Sequence, residues 1–236
     1  MSLLNASYTR NEGNKKAMPN SYKNLHIVAH PLVQHKLTYL RDKNTNSHLF
    51  RQLLHEIALL LFYETTRNLL TKKQVVATPT EDICEGQILA APNPVIIPIL
   101  RAGLTMVDAF LTLIPNSKIG HIGLARDEEK QQTHCYYFNI PVDSAERSVY
   151  ICDPILATGG SAIMAVNMLQ EKGVQDITLT SIIAAPEGMN RFNTVHPNIP
   201  VITAALDREL NAKSFVLPGL GDAGDRAFGT KNEKNN

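Results

Sequence analysis

The sequence predicts an α/β fold, a parallel sheet with helices on both faces. Three observations predict it. Continuous apolar runs, "PVIIPIL" the clearest, suit strands covered on both sides rather than on one. Segments of helical periodicity alternate with those runs. Lastly, "VYICDPILATGGSA" (Val149–Ala162) passes from an apolar strand into a small-residue helix start, at the strand end where such sheets hold their ligands.

The elements follow in order. The opening "MSLLNASYTRNEGNKKAMPNSYKN" is polar and has no long apolar core. It is not a signal peptide, and residues 1–24 are expected to form a mobile extension. From His30 to Arg67 the pattern is helical. Leu49, Leu53, Leu54, Ile57, Leu60 and Leu61 recur at three-and-four spacing, and Asn46 or Ser47 can cap the run. A helical pair of this kind packs on a core or on a second subunit. "QVVATPTE" and "QILAAP" form a short hairpin. The "PVIIPIL" strand leads into the helix "AGLTMVDAFLTLI". Strands "KIGHIGLA", "THCYYFNIP" and "RSVYIC" come next, then the helix "GGSAIMAVNMLQEKG" with Gly173 at its C-terminal end. "DITLTSIIAA" is a strand, Pro186 opens a short helix, and "NIPVITAAL" is the last strand. The tail "KNEKNN" is a second mobile end.

Composition narrows the function. A chain of 236 residues, 44% hydrophobic, can bury a sizeable core. Lys and Arg number 23 against 22 Asp and Glu, so net charge supplies no ground for a nucleic-acid or membrane-surface binder. The run "IALLLFY" is too short to span a bilayer. Cys84, Cys135 and Cys152 lack CxxC spacing and read as reduced thiols of a cytosolic protein. The histidines are scattered and form no HExxH motif, so no protein metal site is expected.

The turn "ATGGS" has two readings. Helix N-termini present unpaired N–H groups and hold anions, and glycines admit close approach, so Thr158, Gly159, Gly160 and Ser161 can cradle a phosphate. A bulky side chain at Gly159 or Gly160 would block it. The alternative is a simple capped helix start. Asp153 divides likewise. It can accept hydrogen bonds from two adjacent ribose hydroxyls, or it can be a turn residue before Pro154.

"HPLVQHKLTYLRDKNT", "PILRAGL", "ARDEE", "YYFNIP", "DPILATGGSA" and "PGLGDAGDRAFGT", in that order, resemble the uracil phosphoribosyltransferases of the type I phosphoribosyltransferase family. The resemblance implies one such domain over 25–236, with N-terminal helices and a C-terminal base-binding hood. It implies transfer of phosphoribose from phosphoribosyl diphosphate (PRPP) to uracil, giving UMP and diphosphate in pyrimidine salvage. PRPP is then held by Arg101, Arg126, Asp153, Pro154, Ile155, Leu156, Ala157, Thr158, Gly159, Gly160, Ser161 and Asp222. Arg101, Asp153 and Asp222 carry the catalysis. Arg101 suits a bidentate contact to the diphosphate, whereas Arg126 could instead pair with Asp127, Glu128 and Glu129. Backbone groups of Val216, Gly221 and Ala223, beside Asp222, are expected to read the uracil edge, because backbone donors and acceptors cannot exchange roles as a side-chain amide can. Mg²⁺ arrives on PRPP. A GTP effector, a homodimer or higher homo-oligomer, and a cytoplasmic location are further expectations.

Four positions depart from the family's pattern. Ala125 stands where Tyr is expected, Lys130 for Thr, Phe215 for Tyr and Val216 for Ile. Two kinds of alternative compete. One is a phosphoribosyltransferase for another base, although purine enzymes carry two adjacent acids where Cys152–Asp153 supplies one. The other is a non-catalytic nucleotide-binding module or an RNA-binding regulator on the same fold, and the near-neutral charge speaks against the regulator.

Overall fold

The computed structural model describes residues 22–90, 92–127 and 132–230. The extension before Tyr22, the tail "KNEKNN" and Lys130 lie outside the described residues. The chain runs β1 (Leu25–Ile27), α1 (Pro31–Arg41), α2 (Ser47–Thr65), β2 (Thr71–Ala77), β3 (Ile83–Leu89), β4 (Val95–Leu100) and α3 (Leu104–Leu113). It continues β5 (Lys118–Ile119), β6 (His121–Asp127), β7 (Gln132–Asn139), β8 (Val149–Cys152), β9 (Ile155–Leu156), α4 (Gly160–Glu171) and β10 (Ile177–Ala184). Last come α5 (Pro186–Val195), β11 (Val201–Leu206), β12 (Glu209–Leu210), β13 (Val216–Leu217) and α6 (Ala223–Phe228).

The main sheet has the order β1-β11-β10-β8-β4-β6-β7, with β5 beside β4 and β9 beside β10. Strand alternation divides its two faces. Ile96, Tyr150 and Cys152 point to a layer built by α1, α2, α3 and α6. Val95, Ile97, Val149 and Ile151 point to one built by α4 and α5. Both faces are covered, which is why the central strand β4 reads as an unbroken apolar run.

The sheet is not wholly parallel. β7 runs antiparallel to β6. Only residues 128–131 join the two strands, and a parallel return needs a crossover of about a dozen residues or more.

Asn46, not Ser47, caps α2, its side chain accepting from the Leu49 N–H at 3.0 Å. The α2 stripe of Phe50, Leu54, Ile57 and Leu61 is fully buried within this chain. The reading as helices packed on a core therefore holds, and this stripe is no subunit surface. β2 and β3 do form a hairpin, antiparallel from Thr71↔Leu89 to Ala77↔Ile83, and it carries no buried residue.

Candidate active site

Three chain segments converge beyond the carboxyl ends of β4, β8 and β10. The first is the turn after β8. The Pro154 carbonyl accepts from Ile182 and Ile183 at 3.0 and 3.1 Å, and Ala185 N–H donates to Leu156 at 2.9 Å. This pins the turn to β10 before α4 begins. Gly159 has φ +78°, and a Cβ there would stand 2.8 Å from the Gly188 carbonyl oxygen, so only glycine fits. Gly160 is different. A Cβ on it would meet only side-chain tips, at 3.4 Å or more. Its glycine is thus not required by the protein's own packing, and the steric demand of this turn falls on Gly159.

Among the described residues no side chain caps α4. The capped-helix reading therefore fails, and the first N–H groups of α4 are left for another acceptor. They border a hollow of about 70 Å³ lined by Asp153, residues 155–162, Leu179 and Ser181. The Leu156 side chain is buried in the core, and Pro154 is buried outside the hollow's lining.

Asp153 sits at the mouth of the turn. Burial pushes its carboxyl up to about 7, the Ile155 N–H draws it back in part, and the Asp222 charge raises it further. Next to it, burial lifts the Cys152 thiol well above its usual range, as expected of an inert core thiol.

The second segment follows β4. A Cβ on Gly103 would lie 2.4 Å from the Cys152 carbonyl oxygen, so the absent side chain lets this loop touch the first. Arg101 is exposed. Its guanidinium makes only long contacts, 3.5 Å to Asp225 and 3.5 Å to Thr230. It is placed at the site and has no tight protein partner among the described residues. Arg126 lies in β6, opposite Thr133 of β7. Its side chain, and the choice between substrate and its acidic neighbours, lies outside the described residues.

The third segment runs from β12 to α6. Val216 and Ala223 turn their side chains inward, at 6% and 4% exposure. Gly219 (φ +65°) and Gly221 (φ +77°) bend the main chain between them, after a cis Leu217–Pro218 bond. Asp222 caps α6, one carboxylate oxygen accepting from Asp225 N–H at 2.8 Å. A Cβ built on Gly224 would lie within 4 Å of Asp222, Ala102 and Arg101, which measures how closely the second and third segments meet.

Sequence reasoning missed what holds this third segment. Arg41 grips Asp207 with two bonds of 2.6 and 2.8 Å and the Gly219 carbonyl with one of 2.6 Å, and Asp207 accepts from Gly219 N–H at 3.0 Å. Arg226 donates to the Leu40, Leu220 and Asp42 carbonyls and lies 4.3 Å above the Phe50 ring. Both arginines occur inside the quoted motifs. Apart from Leu220, their partners lie far away in sequence, which is why the motifs alone did not reveal these roles.

The mostly parallel sheet flanked by helices, with a hollow at the tip of β8, an acid before it and an arginine loop beside it, is the architecture of a type I phosphoribosyltransferase. Adenine phosphoribosyltransferase from Trypanosoma brucei shares the fold, with a TM-score of 0.54 at 12% identity over 83% of this chain and 89% of that one. The family model for uracil phosphoribosyltransferase matches residues 27–230, and this chain belongs to that family. Among its relatives, uracil phosphoribosyltransferase of Dictyoglomus thermophilum is 52% identical over 87% of this chain and 99% of its own length. That of Enterococcus faecalis is 47% identical over 87% and 98%. The AQ2163 protein from Aquifex aeolicus superposes with a TM-score of 0.82 at 32% identity, covering 88% and 99%.

Proposed function

We propose that this chain transfers phosphoribose from PRPP to uracil. The bond from the anomeric carbon to diphosphate breaks, a bond to uracil N1 forms, and the N1 proton is released. The observation that carries this reading is the convergence of an uncapped α4 N-terminus, Asp153 and Arg101 on one site.

In this reading the Thr158–Ser161 turn holds the 5-phosphate and Asp153 takes the ribose hydroxyls. Arg101 and Arg126 face the departing diphosphate. Positive charge develops on the ribose as diphosphate leaves, so the site works by positioning and electrostatic stabilisation. Asp153 and Asp222 place negative charge beside that ring. Buried side chains at Val216 and Ala223 leave main-chain groups as the polar surface, which supports backbone reading of the uracil edge. Among the described residues no cluster of His, Cys, Asp and Glu is arranged to hold a metal. Mg²⁺ bound to PRPP would neutralise diphosphate oxygens while keeping most of its waters.

The β2–β3 ribbon supports a homo-oligomer. Val75 is 56% exposed and Ile83 75%, on a two-stranded sheet that is marginal by itself. GTP activation rests on the family resemblance, and rates with and without GTP test it. No described helix is long and apolar enough to cross a membrane, and a cytoplasmic location fits the three free cysteines.

The test is PRPP-dependent conversion of labelled uracil to UMP, with orotate, hypoxanthine and cytosine alongside. Uracil should exceed cytosine by about ten-thousandfold, because the wrong base leaves buried groups unpaired. Absence of UMP, or equal turnover of another base, contradicts the proposal.

A further inference from the structure

Arg191, on α5, stands at the mouth of the α4 turn. Its Nη1 lies 3.7 Å from where a Cβ on Gly160 would be, and the Thr133 hydroxyl of β7 lies 3.4 Å from the same point. The ordinary explanation of this arginine is a helix-surface pair with Glu187, four residues earlier. The structure does not make that pair. Glu187 Oε1 accepts from the Leu210 N–H at 2.9 Å, and among the described residues Arg191 forms no ion pair.

A guanidinium beside a helix N-terminus is electrostatically unfavourable, because both carry positive charge. The arrangement is favourable once an anion lies between them. The hollow's floor points the same way. Ser181 is fully buried, lines the hollow, and its hydroxyl has no partner among the described residues. Among the described residues the only carboxylate in the lining is Asp153, which follows β8.

We infer that Arg191 is a binding residue for the 5-phosphate, closing the cradle from α5 with the Thr133 hydroxyl beside it. The turn itself contains no lysine or arginine, so Arg191 supplies the side-chain cation that its amides lack. The ligand class is a pentose 5-phosphomonoester, common to PRPP and UMP. This rests on the phosphoribosyl-transfer reading above.

The test is steady-state kinetics of the full chain as Arg191→Ala, Arg191→Lys and Arg191→Glu, after wild type has been shown to form UMP. Failure of wild type would sink the transfer reading itself. With wild type active, Arg191→Ala should raise KM for PRPP and weaken inhibition by UMP, each about tenfold, with kcat and KM for uracil little changed. That is the loss of one charge-assisted contact at an exposed position. Arg191→Lys should recover part of the loss, and Arg191→Glu should exceed Arg191→Ala. A wild-type KM for PRPP and wild-type UMP inhibition in Arg191→Ala would overturn the inference. So would a fall in kcat with both KM values moved together, or a lowered unfolding temperature, which would mark a structural role.

Discussion

Asp153→Asn should make the substrate-free protein more stable and the enzyme worse. The carboxyl of Asp153 is pushed from 3.8 up to about 7, first by burial and further by Asp222. A raised acid binds more protons folded than unfolded. Stability contributed at this position therefore falls as pH rises from about 4 to about 7, and stays low above. Three pH units correspond to at most about 4 kcal/mol, trimmed because the residue is only partly buried by its neighbours. Asparagine keeps the shape without the charge. At pH 8 the variant should unfold about 5–10 °C higher, using about 2–4 °C per kcal/mol for a chain of this size. The gain should shrink toward pH 4. Activity should fall at least about tenfold, since a charge-assisted hydrogen bond is worth about 1.5–3 kcal/mol. Thermal melts of both proteins at pH 5 and pH 8, beside UMP formation, make the check. A variant less stable at pH 8, or one whose gain is equal at both pH values, would refute the reasoning. Unchanged catalytic efficiency would return Asp153 to the turn-residue reading.

Other outcomes follow from the same geometry. Gly160→Val should fold with a near-wild-type melting temperature and lose PRPP binding in calorimetry, whereas Gly159→Ala should lose stability as well, because its left-handed backbone and the Gly188 carbonyl oppose a Cβ. Arg101→Lys should be nearly as harmful to kcat/KM for PRPP as Arg101→Ala, since an ammonium cannot reproduce a two-pronged contact; full activity in the lysine variant would exclude that contact. Arg41→Ala leaves Asp207 buried without its partner and should cost about 3–5 kcal/mol in denaturant melts. If the variant folds, KM for uracil should rise more than KM for PRPP.

The central strands were legible because both of their faces are covered, so Val95–Leu100 shows as an unbroken apolar run and Ile177–Ala184 as an apolar strand interrupted only by the hydroxyl residues Thr178, Thr180 and Ser181. Shorter elements were not. β9, β12 and β13 have two residues each, too few for any period, and β1 has three. The α6 helix lies within what reads as a Pro-Gly loop, because its capping Asp222 directly follows the glycines. The direction of β7 was missed because apolar content is the same either way, although the short connection before it held the answer. In the site, the α4 turn and the Arg101 loop could be found from their own residues, since each is a contiguous motif. The Arg41–Asp207 grip joins positions 166 residues apart, and Arg191 carries the spacing of an ordinary surface pair. Those roles are created by the fold, and no local pattern announces them.

A crystal structure of the full chain with UMP tests the central claim, that one site holds the phosphate, the ribose and the base. The account predicts the phosphate against the first amides of α4, with Thr158 and Ser161 around it. It predicts the ribose hydroxyls on Asp153 and the uracil edge on main-chain groups of Val216, Gly221 and Ala223. A phosphate bound away from the α4 turn, or a uracil ring held by side chains elsewhere than the β13–α6 segment, would contradict it.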